Sequence, residues 1–183
     1  MAPAPLLTTE EYLRTPETVQ PMELIYGALR VADAPTVRHQ QALCAFLLAL
    51  APHVSERRLG QVLLSPLDVI LDWDRGLILQ PDLVFISHAR WQVRRQRIVG
   101  APDMVLEVLS PHPRIGRLEE RIEWFAHYGV REIWLLHQLE ERFDILGVQN
   151  GRVAGQKSFD YLTPITSEVL PEFTTTVEAI LSR

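Results

Sequence analysis

The chain has 183 residues, 47% of them hydrophobic and 22% charged, with a net charge of −5. That length suits one domain with a sizeable core and excludes two comfortable ones, and the composition is that of an ordinary soluble globular protein. The acidic balance argues against broad, non-specific nucleic-acid affinity but leaves room for a local basic patch.

In chain order, "MAPAPLLTTEEYL" lacks a basic leader, so no signal peptide is expected. Thr8 and Glu11 within it have the spacing of a capping box and predict a helix start. "MELIYGALRVA" predicts two short strands around Tyr26-Gly27. From Thr36 to about His53, Leu43, Phe46, Leu47 and Leu50 recur at helical spacing and predict a core-facing stripe. This segment holds the longest apolar run, residues 42–51, which is too short to cross a bilayer. Cys44, the single cysteine, lies inside it and is expected to be a buried thiol. No intrachain disulfide is possible, and a cytoplasmic protein without a membrane partner is expected.

"QVLLSPLDVILD" and "LILQPDLVFIS" predict two β-rich runs around the turn "WDRG", with Pro66 and Pro81 marking bends or strand ends. The basic segment "HARWQVRRQRIVG" predicts a loop. "MVLEVL" (104–109) predicts a strand buried on both faces, followed by the loop "SPHPRIG". "RLEERIEWFAHYG" predicts a helix, with Leu118, Ile122 and Phe125 inward and Gly129 as the stop. "REIWLLH" predicts another buried strand, so residues 103–137 form strand, crossover helix and parallel strand. A hairpin turning at Asn150-Gly151 follows, and the last dozen residues cap the domain. The fold class expected is α/β (α+β), a mixed sheet flanked by helices in a single domain over residues 1–183.

Two core strands each carry one acid. Glu107 interrupts "MVLEVL", and Asp82 interrupts "LILQPDLVFI". On neighbouring strands they would lie within about 5 Å of each other. Two such carboxylates repel unless a cation sits between them. A hard divalent ion such as Mg²⁺ suits oxygen ligands. Asp103 is four residues from Glu107 along the same strand, roughly 13 Å away, and cannot share the ion. Asp68 and Asp72 share a strand face and are possible helpers. The structural alternative is that Asp82 ends a turn and Glu107 pairs with a buried arginine.

The segments "QPDLVFIS", "GAPDMVLEVLSP" and "RLEERIEWFAHYGVREIWLL", in this order and spacing, resemble the Uma-two family of bacterial restriction-type endonucleases. That family belongs to the PD-(D/E)XK nuclease superfamily. "TTEEYL", "MELIYG", "RHQQALCAFLLAL" and "LLSPLDVILD" extend the resemblance along the whole chain. The resemblance implies a restriction-endonuclease-like fold, and a metal site of Asp82 and Glu107 holding Mg²⁺ or Mn²⁺. Glu23 and His39 match positions that would support it.

This chain departs from the family pattern at the third motif. Leu109 stands two residues after Glu107, where a lysine would point at the metal. In the family the lysine has moved to the following helix, as D-x-x-x-K. Aligning Phe125-Ala126 and Gly129-Val130 puts Arg117 at the aspartate and Arg121 at the lysine. His137 stands where aspartate is frequent. Arginine can stabilise a phosphate but cannot act as a general base.

The function expected is therefore a Mg²⁺-dependent DNA endonuclease with Asp82, Glu107 and Arg121 as its catalytic set. Weak or lost activity follows from Arg121 in the lysine's place. Arg90, Arg94, Arg95 and Arg97 would touch the DNA backbone, the alternative being a solvated charge run. Lys157 is the single lysine among 18 basic residues, so arginine at any one position carries little specific meaning. A homodimer is expected because cutting two strands calls for two sites. The alternative function is a catalytically degenerate nuclease fold acting as a DNA-binding or dimerisation module. No H-E-x-x-H, G-x-S-x-G or Walker-type loop points to another hydrolase chemistry.

Overall fold

The computed structural model describes residues 6–16, 20–32, 34–94, 96–109 and 118–182. The chain opens with α1 (Thr9–Tyr12), whose capping box forms as expected: Thr8 Oγ1 accepts from Glu11 N, and the Glu11 carboxylate accepts from Thr8 N. The hairpin β1 (Met22–Ile25) and β2 (Ala28–Val31) follows, then the long helix α2 (Val37–Glu56). Leu43, Phe46 and Leu50 of α2 are buried, as the stripe requires. Cys44 corrects the expectation of a buried thiol. It is exposed, because the apolar run wraps the helix beyond its core-facing stripe.

The two β-rich runs each split at their proline. The first gives β3 (Gly60–Leu64) and β4 (Val69–Asp72), the second β5 (Leu77–Leu79) and β6 (Leu83–Ser87). The proline segments carry the chain from one sheet to another. β4 and β5 join the first sheet, β3 and β6 the second. The basic segment is not a plain loop. It forms a 3-10 turn at His88–Arg90 and a small hairpin, β7 (Val93–Arg94) and β8 (Arg97–Val99), which closes the first sheet's edge beside β4.

β9 (Met104–Leu109), α3 (Leu118–Tyr128) and β10 (Glu132–His137) form the expected strand–helix–strand unit, with β9 and β10 parallel. The hairpin β11 (Arg142–Gln149) and β12 (Arg152–Asp160) turns at Asn150-Gly151. A short ladder of β13 (Ile165–Thr166) and β14 (Thr174–Thr175) and the helix α4 (Val177–Leu181) end the chain.

The second sheet has the order β12-β11-β10-β9-β6-β3 and is mixed, as expected. The first, of order β2-β1-β5-β4-β8-β7, was not anticipated as a separate layer. Alternation along β9 shows how the layers stack. Met104, Leu106 and Val108 face a core shared with α2 and α4, while Val105 faces a core shared with the first sheet and α3. Leu24, Ile70 and Ile78 on the far side of the first sheet pack against Tyr12 of α1. Glu107 therefore points into the seam between the two sheets. No helix among the described residues is long and apolar enough to cross a membrane.

Candidate active site

The register of β6 against β9 brings the two acids together. The strands are antiparallel with Leu83 opposite Leu106, so Asp82, one residue before β6, meets the Glu107 end of β9. Asp82 Oδ2 accepts from Val108 N at 2.7 Å, which pins that carboxylate to the neighbouring strand. His39, in the first turns of α2, reaches the same oxygen with Nε2 at 3.1 Å. Thr36 caps that helix by accepting from His39 N, so the cap also fixes where the imidazole starts.

Glu107 has a second neighbour. Arg121 of α3 is only 8% exposed and sits between two carboxylates. Its Nη2 donates to Glu107 Oε1 at 2.7 Å, and its Nη1 donates to both oxygens of Glu23 at 2.8 and 2.7 Å. Glu23 lies on β1 of the first sheet and also accepts from Gln80 N at 2.7 Å. The structure thus brings Asp82, Glu107, Arg121, Glu23 and His39 into one cluster. The Arg121 fork is committed inward to the acids rather than open toward a substrate phosphate.

Electrostatics follow from this geometry. Burial pushes the Glu107 carboxyl up, Arg121 pulls it down and Asp82 pushes it up again, leaving it at about 7. Burial works against the charge on Arg121, yet Glu107 and Glu23 outweigh it and hold the guanidinium firmly protonated. Burial also works against a proton on His39, but the Asp82 hydrogen bond and the charges of Asp82 and Glu107 outweigh it and raise the imidazole.

The cluster's chemistry fits a hard divalent cation. Asp82 Oδ1 and Glu107 Oε2 receive no hydrogen bond from the described residues, and their side chains stay 19% and 13% exposed. With the three carboxylates ionised and His39 neutral, the fixed charge is −2, which one divalent ion would balance. Among the described residues, no group of three or more His, Cys, Asp and Glu side chains is placed to hold an ion by itself. Water and phosphate oxygens would therefore have to fill most of its shell.

The remaining acids have other partners. Asp68 is buried and takes Gln80 Nε2 at 2.8 Å and Arg97 Nε at 2.8 Å, with the Tyr12 hydroxyl at 3.0 Å. Asp72 accepts from the Tyr128 hydroxyl and from Arg75 N. Asp103 accepts from Ser87 N and pairs with Arg90 and Arg131. Arg90 and Arg97, expected at the DNA backbone, are therefore each tied to a buried acid. Arg95, Arg117 and residues 110–116 lie outside the described residues, as does the side chain of Arg94. His137 sits beside Leu109 in the β9–β10 ladder and pairs through Nε2 with Asp144 at 2.9 Å.

Gln80 was missed from the sequence, because its contribution is a backbone N–H that no side-chain pattern announces. The inward aim of Arg121 had a signal. Leu118, Arg121, Ile122 and Phe125 are spaced i, i+3, i+4, i+7, so Arg121 belongs to the buried stripe itself.

The family model described as "Uma2: Putative restriction endonuclease" matches residues 9–178. Among solved structures, the chain is similar to one described as a putative nuclease belonging to DUF820 from Anabaena variabilis. The TM-score is 0.81 at 19% identity, over 96% of this chain and 98% of that one. At such identity the likeness is one of fold. No curated protein matches significantly.

Proposed function

The chain belongs to the Uma2 family of restriction-endonuclease-like proteins, and from that premise we propose that it is a divalent-metal-dependent endonuclease hydrolysing DNA phosphodiesters. The observation that carries this reading is the pair Asp82 and Glu107. They meet across adjacent strands, and each keeps one carboxylate oxygen free of donors among the described residues.

Asp82 and Glu107 would hold Mg²⁺ or Mn²⁺. The ion would supply Lewis acidity at the phosphate and make water a better nucleophile at neutral pH. The protein's own contribution is placement. Val108 N and His39 hold Asp82 in one rotamer, and Arg121 holds Glu107 while Glu23 holds Arg121. Phosphate contact by Arg90 or Arg97 would be made alongside their internal pairs with Asp103 and Asp68. Cutting both strands of a duplex calls for a second copy of the chain. Such an enzyme acts in the cytoplasm, where its substrate is.

A second reading rests on Arg121. Arg121, at the centre of the cluster, is already neutralised by Glu23 and Glu107, which suits a nuclease fold retained for DNA binding or dimerisation. A plasmid-nicking assay with Mg²⁺ or Mn²⁺, run beside calorimetric ion titration, separates the two. The nuclease reading expects nicking and ion binding that both disappear in Asp82→Ala. Shifted DNA without nicking, and no ion heat in the wild type, would establish the second reading instead.

A further inference from the structure

The cluster is joined to a further acid that the proposed chemistry does not use. Asp68 is 6% exposed and lies one residue before β4 of the first sheet. One of its oxygens accepts from Arg97 Nε, the other from Gln80 Nε2 and the Tyr12 hydroxyl. Gln80 then turns to the cluster. Its backbone N–H donates to Glu23 Oε1 at 2.7 Å, on the same carboxylate that holds Arg121. One residue thus grips one buried acid with its side chain and another with its backbone.

Gln80 also stands where the chain passes from β5 of the first sheet to β6 of the second, two residues before Asp82. Residues 80–82 belong to no strand, so no ladder fixes this passage. At its far end, Ser65 N donates to the Asp82 carbonyl at 2.9 Å and Val108 N to the Asp82 carboxylate. At its near end, the hold consists of the two contacts of Gln80.

Packing does not replace them. The Gln80 side chain lines a cavity of about 310 Å³ that it shares with Tyr12, Asp68 and Arg97, which leaves it room to swing. Its Oε1 is buried and meets no donor among the described residues. A buried acceptor without a donor is unfavourable, and methionine, of similar length, would avoid that cost. What the amide contributes in return is its donor contact with Asp68.

We infer that Gln80 is a positioning residue: Asp68 anchors its side chain, so that its backbone N–H holds Glu23, and through Glu23 and Arg121 keeps Glu107 aligned with Asp82. Asp68 and Arg97 belong to the same support, one step further from the site. That the aligned carboxylates serve a cation rests on the nuclease reading, whereas the hold on Glu23 does not.

Two variants test this. Gln80→Met removes the donor and keeps the backbone. Asp68→Asn combined with Gln80→Glu reverses donor and acceptor at an unchanged net charge. Hydrogen exchange of the residue 80 amide, with chelator present, reads the bond to Glu23 directly. Gln80→Met should speed that exchange about tenfold while the amides of β10 stay protected, and the reversed pair should restore it. A purely structural residue would open both regions together. Calorimetric Mn²⁺ affinity should follow the same order, about tenfold weaker in Gln80→Met and regained in the reversed pair. Unchanged protection at residue 80 in Gln80→Met overturns the inference. So does equal loss in both variants, and so does unchanged Mn²⁺ affinity once the amide has opened. An amide that responds as expected in a protein that binds no Mn²⁺ keeps the hold and removes the nuclease reading. Mn²⁺ binding and nicking that ignore Gln80→Met do the reverse.

Discussion

Removing the Arg121 guanidinium would leave Glu23 and Glu107 without their shared cation in a nearly dry place. Breaking a buried ion pair from one side costs about 3–5 kcal/mol. Arg121→Met should lose that much stability in urea unfolding at pH 8 with chelator present, and Mn²⁺ should restore part of it. A loss below about 1 kcal/mol would mean the triad matters little. Glu107 makes a separate pH-dependent contribution. Its pKa is about 7 in the fold and 4.5 ordinarily. Below pH 4.5 both states keep the proton and the stabilisation is whole. Between 4.5 and 7 the unfolded chain has released a proton that the fold retains, so stability falls as pH rises. Above 7 the loss is complete, at about 3 kcal/mol. Denaturation without divalent ions, from pH 5 to 8, should show this fall in the wild type and a flatter profile in Glu107→Gln. At this scale the sequence made the acids visible, because a carboxylate in an apolar strand is conspicuous. Arg121 was visible too, its inward aim carried by the buried stripe of α3, but its pairing with Glu23 was not, because no local pattern specifies where Glu23 lies relative to α3.

Elements act on the site through their ends. α2 matters where it begins, since Thr36 caps the turn that carries His39 to Asp82. Thr36→Ala should cost about 1 kcal/mol in thermal or urea unfolding. It should also weaken cation binding through a looser Asp82, and unchanged ion affinity would limit His39 to a structural part. β3 matters where it meets β6. A Cβ at Gly60 would sit 2.0 Å from the Ile86 carbonyl oxygen, a clash with backbone that cannot rotate away. Gly60→Ala should therefore disturb the strand that delivers Asp82, and amide exchange in residues 83–87 should rise sharply. Helix and strand positions were legible because their periodicities are local. The small hairpin β7–β8 was not, because a strand of two residues has no period to detect, and the basic composition of its segment resembles a solvated loop.

The whole molecule is a stack in which each sheet covers the other, so neither should survive alone. Trp134 lies in the core under α2, Trp124 beside the inter-sheet core and Trp73 beside the outer one. Tryptophan fluorescence and far-UV circular dichroism should therefore show coincident unfolding midpoints. An earlier fluorescence transition would identify the first sheet as a separate cooperative unit. The mixed sheet was legible through its strand–helix–strand unit, since a parallel pair demands a crossover. The division into two sheets was not. Pro66 and Pro81 announce bends, but which sheet each half joins is settled by long-range pairing that sequence order does not encode.

The ion triad also joins residues 98 positions apart, for Glu23 belongs to one sheet and Arg121 to the helix that closes on the other. This has a consequence in time. During synthesis at about 5–20 residues per second, Glu23 emerges several seconds before its guanidinium partner is made. Within that interval Asp82 and then Glu107 are made, each before the guanidinium that completes the cluster. An unfinished chain on the ribosome thus carries no assembled site, and any capacity to cut arrives only when the two sheets close.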